Sequence, residues 1–370
     1  MASPLSLQQI RRARMASQLL DAPKERTALD VARWCGALQA QDAASGHWSL
    51  GVRCAGATEV DVIDAFERGD VVRTWPMRGT IHIVPGPDAS WMLALMAHRA
   101  LAGAARRRQE LNLEAGDGDR AAAILEEALQ GRGCLTRAQC LAALQEAGMN
   151  VSGQRSYFLL SYSAHIGVTA IGPQRGSDQT FVLLRDWTTS QVELPREDAL
   201  AELLHRFVRS HGPVPLRDFV GWTGLTVTDA KAAAAANDGR VTVVPTVAGD
   251  MLVAIDLAER LDVGPIGPQP VVTLSGFDEF ILGYKDRTAQ IPDGAFERIV
   301  PGNNGMFRAT VIADGQAIAT WKRTPRKRAM TIDVEPFTPL SSTSERRAVR
   351  AFDRYAEFLD CDVEVRIASA

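Results

Sequence analysis

Three stretches of this chain repeat one order of elements: helix, helix, helix, then two short strands around a turn. In the first, a helix over about 5–20 precedes "TALD", where Thr27 and Asp30 have the spacing of a capping box. Ala28, Val31, Ala32, Cys35 and Leu38 then recur on one helical side. A third helix starts at Thr58 in "TEVD" and ends at Gly69, a residue type that tolerates the left-handed turn after a helix. "VVRTWPMRGTIHIVP" reads as two strands around a turn. The second stretch has a helix over 120–131, the cap pair Thr136 and Gln139, a helix over about 153–165, and the strands "VTAIG" and "TFVLL". The third has a helix over 197–210, then "GPVPLRDFVGWTGL", "TVTDAKAAAAA" and the strands "RVTVV" and "MLVAI". Such a unit is the winged-helix variant of helix-turn-helix. Three are expected in tandem, with residues 87–115 as a helical insertion after the first wing.

The order changes at Leu261. "LDVGPIGPQP" reads as a Gly/Pro-rich linker, and strands dominate beyond it. "GMFRATVIADGQAIATWKR" is a hairpin with Asp314-Gly315 at its two-residue turn. "AMTIDVEPF", a helix over about 343–359 and "DVEVRIA" follow. Closure into a small β-barrel would leave no sticky edge. The expected fold is α+β: winged helices over 1–118 (with the insertion), 119–190 and 191–260, then a C-terminal β-barrel over 261–370.

A net charge of −3 argues against a generic nucleic-acid coat protein, but the cations are clustered. Arg11, Arg12 and Arg14 share the first helix, Arg106 to Arg108 lie in the insertion, and "WKRTPRKR" (321–328) stands just past the hairpin. Basic residues at a hairpin suit phosphate contacts, whereas a solvated surface is the plainer alternative. The five cysteines are odd in number and lack a C-x-x-C pair, which suits reduced thiols and neither a disulfide framework nor a zinc site. The N-terminus lacks the apolar centre of a signal peptide, and no run approaches the ~18 apolar residues of a membrane span. A soluble, cytoplasmic protein is expected.

"ARWCGALQAQDAASGHW" (32–48) places Gln39 and Gln41 one residue apart where a helix runs out. On a continuing helix they would point ~200° apart. On an extended chain both face one side, with Ala40 turned away. "AQDAASG" is rich in turn formers, so an extended loop is expected. Each amide offers a donor and an acceptor, so the pair can hold and aim a water molecule. Glutamine cannot take a proton at neutral pH, so this would suffice only for a leaving group already activated. N7-alkylated guanine meets that condition, because its ring is cationic. What remains is to place water at the sugar carbon and to stabilise oxocarbenium-like charge with amide dipoles. The alternative is that both glutamines merely cap backbone groups at a helix end.

"LQAQD", "RTWPMRGTIHIVP", "FDEFILGYKDR" and "FRATVIADGQAIATWKR" resemble the signature blocks of the winged-helix DNA glycosylases of the AlkZ and YcaQ type, in order across nearly the whole chain. The resemblance implies tandem winged helices followed by a β-barrel, excision of N7-alkylguanine and unhooking of interstrand crosslinks. In the AlkZ branch it implies self-resistance to a bis-alkylating antibiotic such as azinomycin. The family's Gln-x-Gln motif, with an apolar middle residue, falls on Gln39 and Gln41 as the catalytic pair. A monofunctional, monomeric enzyme is expected, without metal or cofactor. Its partner would be duplex DNA carrying alkylated or crosslinked guanine, away from membranes and near the nucleoid.

Other positions are candidate DNA contacts. Arg78, Thr80 and His82 alternate toward one face of the first wing and could line the same cleft, although a lone strand histidine also serves as a satisfied structural residue. Asp278 to Arg287 packs many charges into apolar surroundings; these form an ion-pair network, or Tyr284, Lys285 and Arg287 face DNA. Arg308, Lys322, Arg323 and Arg326 would line a DNA-facing hairpin. The competing function is a non-enzymatic transcription regulator, which needs base-reading side chains on each third helix. The second such helix offers Gln154 and Arg155, but the third, "DAKAAAAAND", is almost bare alanine. A repair scaffold would remain if both glutamines were buried.

Overall fold

The computed structural model describes residues 3–368 apart from Pro23, Ala104, Arg132 and Arg328. The capping pairs read from the sequence open helices as expected. Thr27 accepts from the Asp30 amide while the Asp30 carboxylate takes the Thr27 N–H at 2.9 Å, and Thr58 and Thr136 do the same with Asp61 and Gln139. The chain begins with α1 (Leu7–Ser17), α2 (Ala28–Cys35), β1 (Leu38–Gln39), α3 (Ala43–Gly51), α4 (Glu59–Glu67), β2 (Val71–Met77) and β3 (Thr80–Pro85). The insertion is α5 (Ala89–Gly103) and α6 (Ala105–Glu110). The second group is α7 (Asp117–Leu129), β4 (Cys134–Thr136), α8 (Arg137–Glu146), α9 (Gln154–His165), β5 (Thr169–Arg175), β6 (Asp178–Leu183) and α10 (Leu184–Trp187). The third is α11 (Arg196–His211), α12 (Leu216–Thr223), α13 (Val227–Ala235), β7 (Val241–Val244), β8 (Met251–Ala254) and α14 (Ile255–Val263), the last running into the expected linker.

β9 (Val271–Leu274), α15 (Glu279–Leu282), α16 (Phe296–Ile299), β10 (Ala309–Ala313), β11 (Gln316–Pro325), β12 (Ala329–Pro336), α17 (Ser342–Arg350), α18 (Asp353–Leu359) and β13 (Asp362–Ile367) complete the fold. These five strands run in the order β13-β12-β11-β10-β9, so the sheet is open at β13 and β9: a curled half-barrel, not the closed barrel expected. The expected helix over 343–359 is two helices, broken at Ala351-Phe352.

The first two groups are not separate modules either. Their strands form one six-stranded sheet, β1-β3-β2-β5-β6-β4, joined where Arg73 of β2 pairs with Ile171 of β5. One apolar core runs from α2, α3 and α4 into the half-barrel, where Trp48 meets Tyr355 and Phe358 at ring distances of 4.8 and 5.1 Å. Another joins α5 to α11, α12 and α13. Each boundary drawn from the sequence is thus crossed by packed side chains, and burying one large apolar side chain contributes ~1.5–3 kcal/mol. Among the described residues, no helix is long and apolar enough to cross a membrane.

α3 was expected to be loop. Asp42 caps it, accepting from the Ser45 amide at 3.0 Å. Gly46 lets it fold back on the strand before it: a Cβ there would lie 2.8 Å from the Ala40 Cβ, too close for any real pair of carbons. The turn formers in "AQDAASG" therefore start a helix instead of prolonging a loop.

Candidate active site

Gly36 ends α2 at φ 79°, and the chain straightens into β1. Leu38 pairs with Ile83 and Gln39 with His82 on β3. The Ala40 N–H donates to the Ile81 carbonyl at 2.9 Å, and the Ala40 carbonyl accepts from the Arg73 guanidinium at 2.9 Å. Burial lowers the Arg73 pKa to about 10, which leaves it cationic at neutral pH. The Gln39 N–H donates to Glu279 Oε1 at 3.1 Å. Three hydrogen bonds thus hold Gln39 and Ala40, with Ala40 buried under α3, Gln39 7% exposed and Gln41 exposed just beyond the strand.

Arg78 comes from the β2–β3 turn. Arg78 and Gly79 have φ of 55° and 67°, the pair of positive values that a two-residue hairpin with right-handed strand twist demands. This aims the guanidinium back across the sheet. It lies 3.2 Å from His82 Nε2 and makes a longer contact, 3.5 Å, with Gln39 Oε1. His82 is fully buried; burial first, and then the Arg78 charge, push its pKa down to about 3. The imidazole is neutral. The Thr80 hydroxyl turns instead to the Met77 carbonyl at 3.4 Å, and only the Thr80 carbonyl meets His82.

Glu279 is 1% exposed and reaches the site from the segment after β9. Its Oε2 accepts from Trp222 Nε1 at 3.0 Å and lies 3.4 Å from His211 Nε2. Burial alone would raise its pKa, but the His211 hydrogen bond and the Arg78 charge outweigh that and hold it below the usual carboxylate value. Its neighbour Asp278 forms a buried, bidentate ion pair with Arg53, at 2.8 and 2.9 Å. The ion-pair reading of this segment thus holds for Asp278, while Glu279 goes to the glutamine strand.

Several expected DNA contacts lie elsewhere. Tyr284 is 1% exposed, donates its hydroxyl to the His211 carbonyl at 3.0 Å and carries Arg14 over its ring, so it cannot face DNA. Arg287 is half-buried, donating to the Ile281 and Leu282 carbonyls at the end of α15 and lying over Phe307, and is structural too. Lys285, Arg308, Lys322 and Arg326 are exposed. Arg323 is half-buried, donating to Tyr355 at 2.9 Å and to Asp42 at 3.3 Å. The Asp314-Gly315 turn is not a protruding element. Asp314 is paired with Arg12 at 2.7 Å and its carbonyl accepts from Arg11, which docks the turn on α1. The exposed basic tip belongs to the next hairpin, between β11 and β12, with Arg326 and Lys327; Arg328 lies outside the described residues. A cavity of about 280 Å³ opens beside the motif, lined in part by Asp42, Ser45, Phe277, Met306, Lys322 and Arg323.

The mixed α and β architecture that carries this site is that of a family of DNA glycosylases. The model of the AlkZ-like DNA glycosylases matches residues 32–358, and the chain belongs to that family. The interstrand DNA cross-link repair glycosylase of Streptomyces sahachiroi is 26% identical over 367 residues, which cover 93% of this chain and 92% of that one. The solved structure of S. sahachiroi DNA glycosylase AlkZ matches with a TM-score of 0.82 at 21% identity, over 99% of this chain and 100% of the other, and shares the fold. The family places this chain among enzymes, and the regulator reading falls away.

Proposed function

We propose that this protein hydrolyses the N-glycosidic bond of N7-alkylguanine in duplex DNA and unhooks interstrand crosslinks, with Gln39 and Gln41 placing the attacking water. The observation that carries this reading is that neither group beside Gln39 that could act as a base is free to do so: the carboxylate of Glu279 is buried and engaged by Gln39, Trp222 and His211, and His82 is neutral. His82 has both ring nitrogens engaged and a pKa of about 3, so it has no capacity to draw a proton from water at neutral pH. Glutamine amides can orient water and stabilise charge without accepting a proton, which is enough where the departing base is already cationic. Gln41, exposed just beyond β1, and Arg78 beside Gln39 suit a substrate approaching from solvent. The relative named for crosslink repair supports the unhooking activity. A producer of a bis-alkylating antibiotic such as azinomycin would gain self-resistance from it.

The exposed tip between β11 and β12 and Lys322 supply sequence-independent phosphate contacts. The enzyme is monofunctional in this reading, releasing the base without nicking the strand. The test is release of 7-methylguanine, and unhooking of a defined guanine crosslink on a denaturing gel. Gln39→Ala and Gln41→Ala should each abolish both while DNA affinity stays near wild type. Undiminished release in both variants would remove the proposal.

A further inference from the structure

Glu279 lies 240 residues beyond Gln39 and ties three distant segments to it: the strand β1 through the Gln39 amide, α12 through Trp222, and α11 through His211. Around it the packing is close. His211 stacks on Phe207 at 4.4 Å, and a Cβ at Gly283 would meet the His211 ring at 2.5 Å. A backbone carbonyl or a neutral amide would serve a single N–H donor as well, because a net hydrogen bond needs no charge. Burying a carboxylate is expensive unless its oxygens are paired and its charge is used. Here the charge has an evident counterpart: Arg78, whose guanidinium touches both Gln39 and His82. Left unbalanced beside Gln39, that cation would repel a positively charged nucleobase, because like charges a few ångströms apart repel even near a protein surface.

We infer that Glu279 is a positioning residue for Gln39: its carboxylate clamps the motif's backbone and offsets the Arg78 charge, so that the cleft admits a cationic base. The inference rests on the reading of Gln39 as the water-placing amide. Three donors or partners fix the carboxylate at Gln39, Trp222 and His211, and its ionised state supplies the negative charge beneath the strand. Glu279 is withdrawn from solvent, 1% exposed, and acts through Gln39 and Arg78.

The experiment is single-turnover unhooking of a defined N7-guanine interstrand crosslink by the full chain in excess, using Glu279→Gln, which keeps volume and removes charge. The saturating rate should fall by at least about tenfold, while the protein concentration for half-maximal rate and the melting temperature stay near wild type. A saturating rate within about twofold of wild type overturns the inference. So does a loss in rate matched by losses in affinity and melting temperature, which would mark Glu279 as structural only. If Glu279→Gln does not fold, Glu279→Asp, which keeps the charge but withdraws it by one methylene, should show the same loss of saturating rate, and a full rate there overturns the inference. Gln39→Ala is run alongside. Full activity in that variant removes the site itself, whereas an inactive Gln39→Ala beside a fully active Glu279→Gln removes only the role of Glu279.

Discussion

His82 lies between Arg78 and the carbonyl of Thr80, with Nε2 3.2 Å from the guanidinium and Nδ1 2.9 Å from the oxygen. A carbonyl only accepts, so Nδ1 carries the ring proton and Nε2 is the acceptor for Arg78. The histidine therefore orients a cation and has no free lone pair for general-base work.

A dependence of stability on pH follows. In the unfolded chain His82 takes up a proton near pH 6.5, but in the folded chain only near pH 3. Between those values the unfolded state binds more protons, so stability falls as pH drops through that window and is fully present above it. His205, lowered to about 4, adds in the same direction. Calorimetric melting from pH 7 to pH 4 should show the decline, and His82→Gln should make it shallower. An unchanged slope in that variant would contradict the neutral, buried imidazole.

The contact of α3 with β1 sets the position of the glutamines. Gly46→Ala would put a Cβ 2.8 Å from that of Ala40 and 3.0 Å from Ile83, against a strand held by the hydrogen bonds of Gln39 and Ala40. Overpacking of this kind costs ~1–3 kcal/mol. The base-release rate should fall more than DNA affinity does, and melting should drop by several degrees; unaltered release would show that the strand tolerates displacement.

The two hairpins of the half-barrel should respond in opposite ways. Asp314→Ala removes the pair with Arg12 and the acceptor of the Gln269 N–H, so it should lower stability by about 1 kcal/mol and leave DNA affinity unchanged. Arg326→Ala at the exposed tip should leave melting unchanged, weaken DNA binding for all sequences alike and reduce the salt slope by about one. Fluorescence anisotropy across a salt series, with melting curves, separates the two.

Breaking the Arg53–Asp278 pair should be severe. Arg53→Met leaves a carboxylate buried without its partner, at a cost of ~3–5 kcal/mol. Chemical denaturation should register that loss, and a midpoint near wild type would mean the segment before α15 is anchored by other contacts.

What could be read in the sequence was local. The Thr-x-x-Asp and Thr-x-x-Gln spacings at Thr27, Thr58 and Thr136 name hydrogen bonds three residues apart, and the Asp314-Gly315 turn needs only its own backbone angles. The straightening near Leu38 was read from the turn formers of "AQDAASG"; in the structure it follows Gly36, whose φ of 79° ends α2, while those turn formers open α3. The short helix α3 was missed because Ser45 and Gly46 are poor helix formers; what holds it is Asp42 and the fit against Ala40, which is tertiary. The merger of two wings hangs on pairing between β2 and β5, about which neither strand's alternation says anything. Tyr284 looked available for DNA because aromatic residues serve both roles, and only its neighbours His211 and Arg14 decide between them. Glu279 carried a signal, a carboxylate among apolar residues, but its partners on α11, α12 and β1 are not written nearby.

The long span between the Gln39 amide and its acceptor also governs when the enzyme can exist. A nascent chain on the ribosome that has passed Gln39 but not yet emerged to Glu279 lacks the group that receives this N–H. The strand keeps this amide without its acceptor until the 240 residues that separate it from Glu279 have been made, so β1 is completed late, by the connectivity of the fold itself.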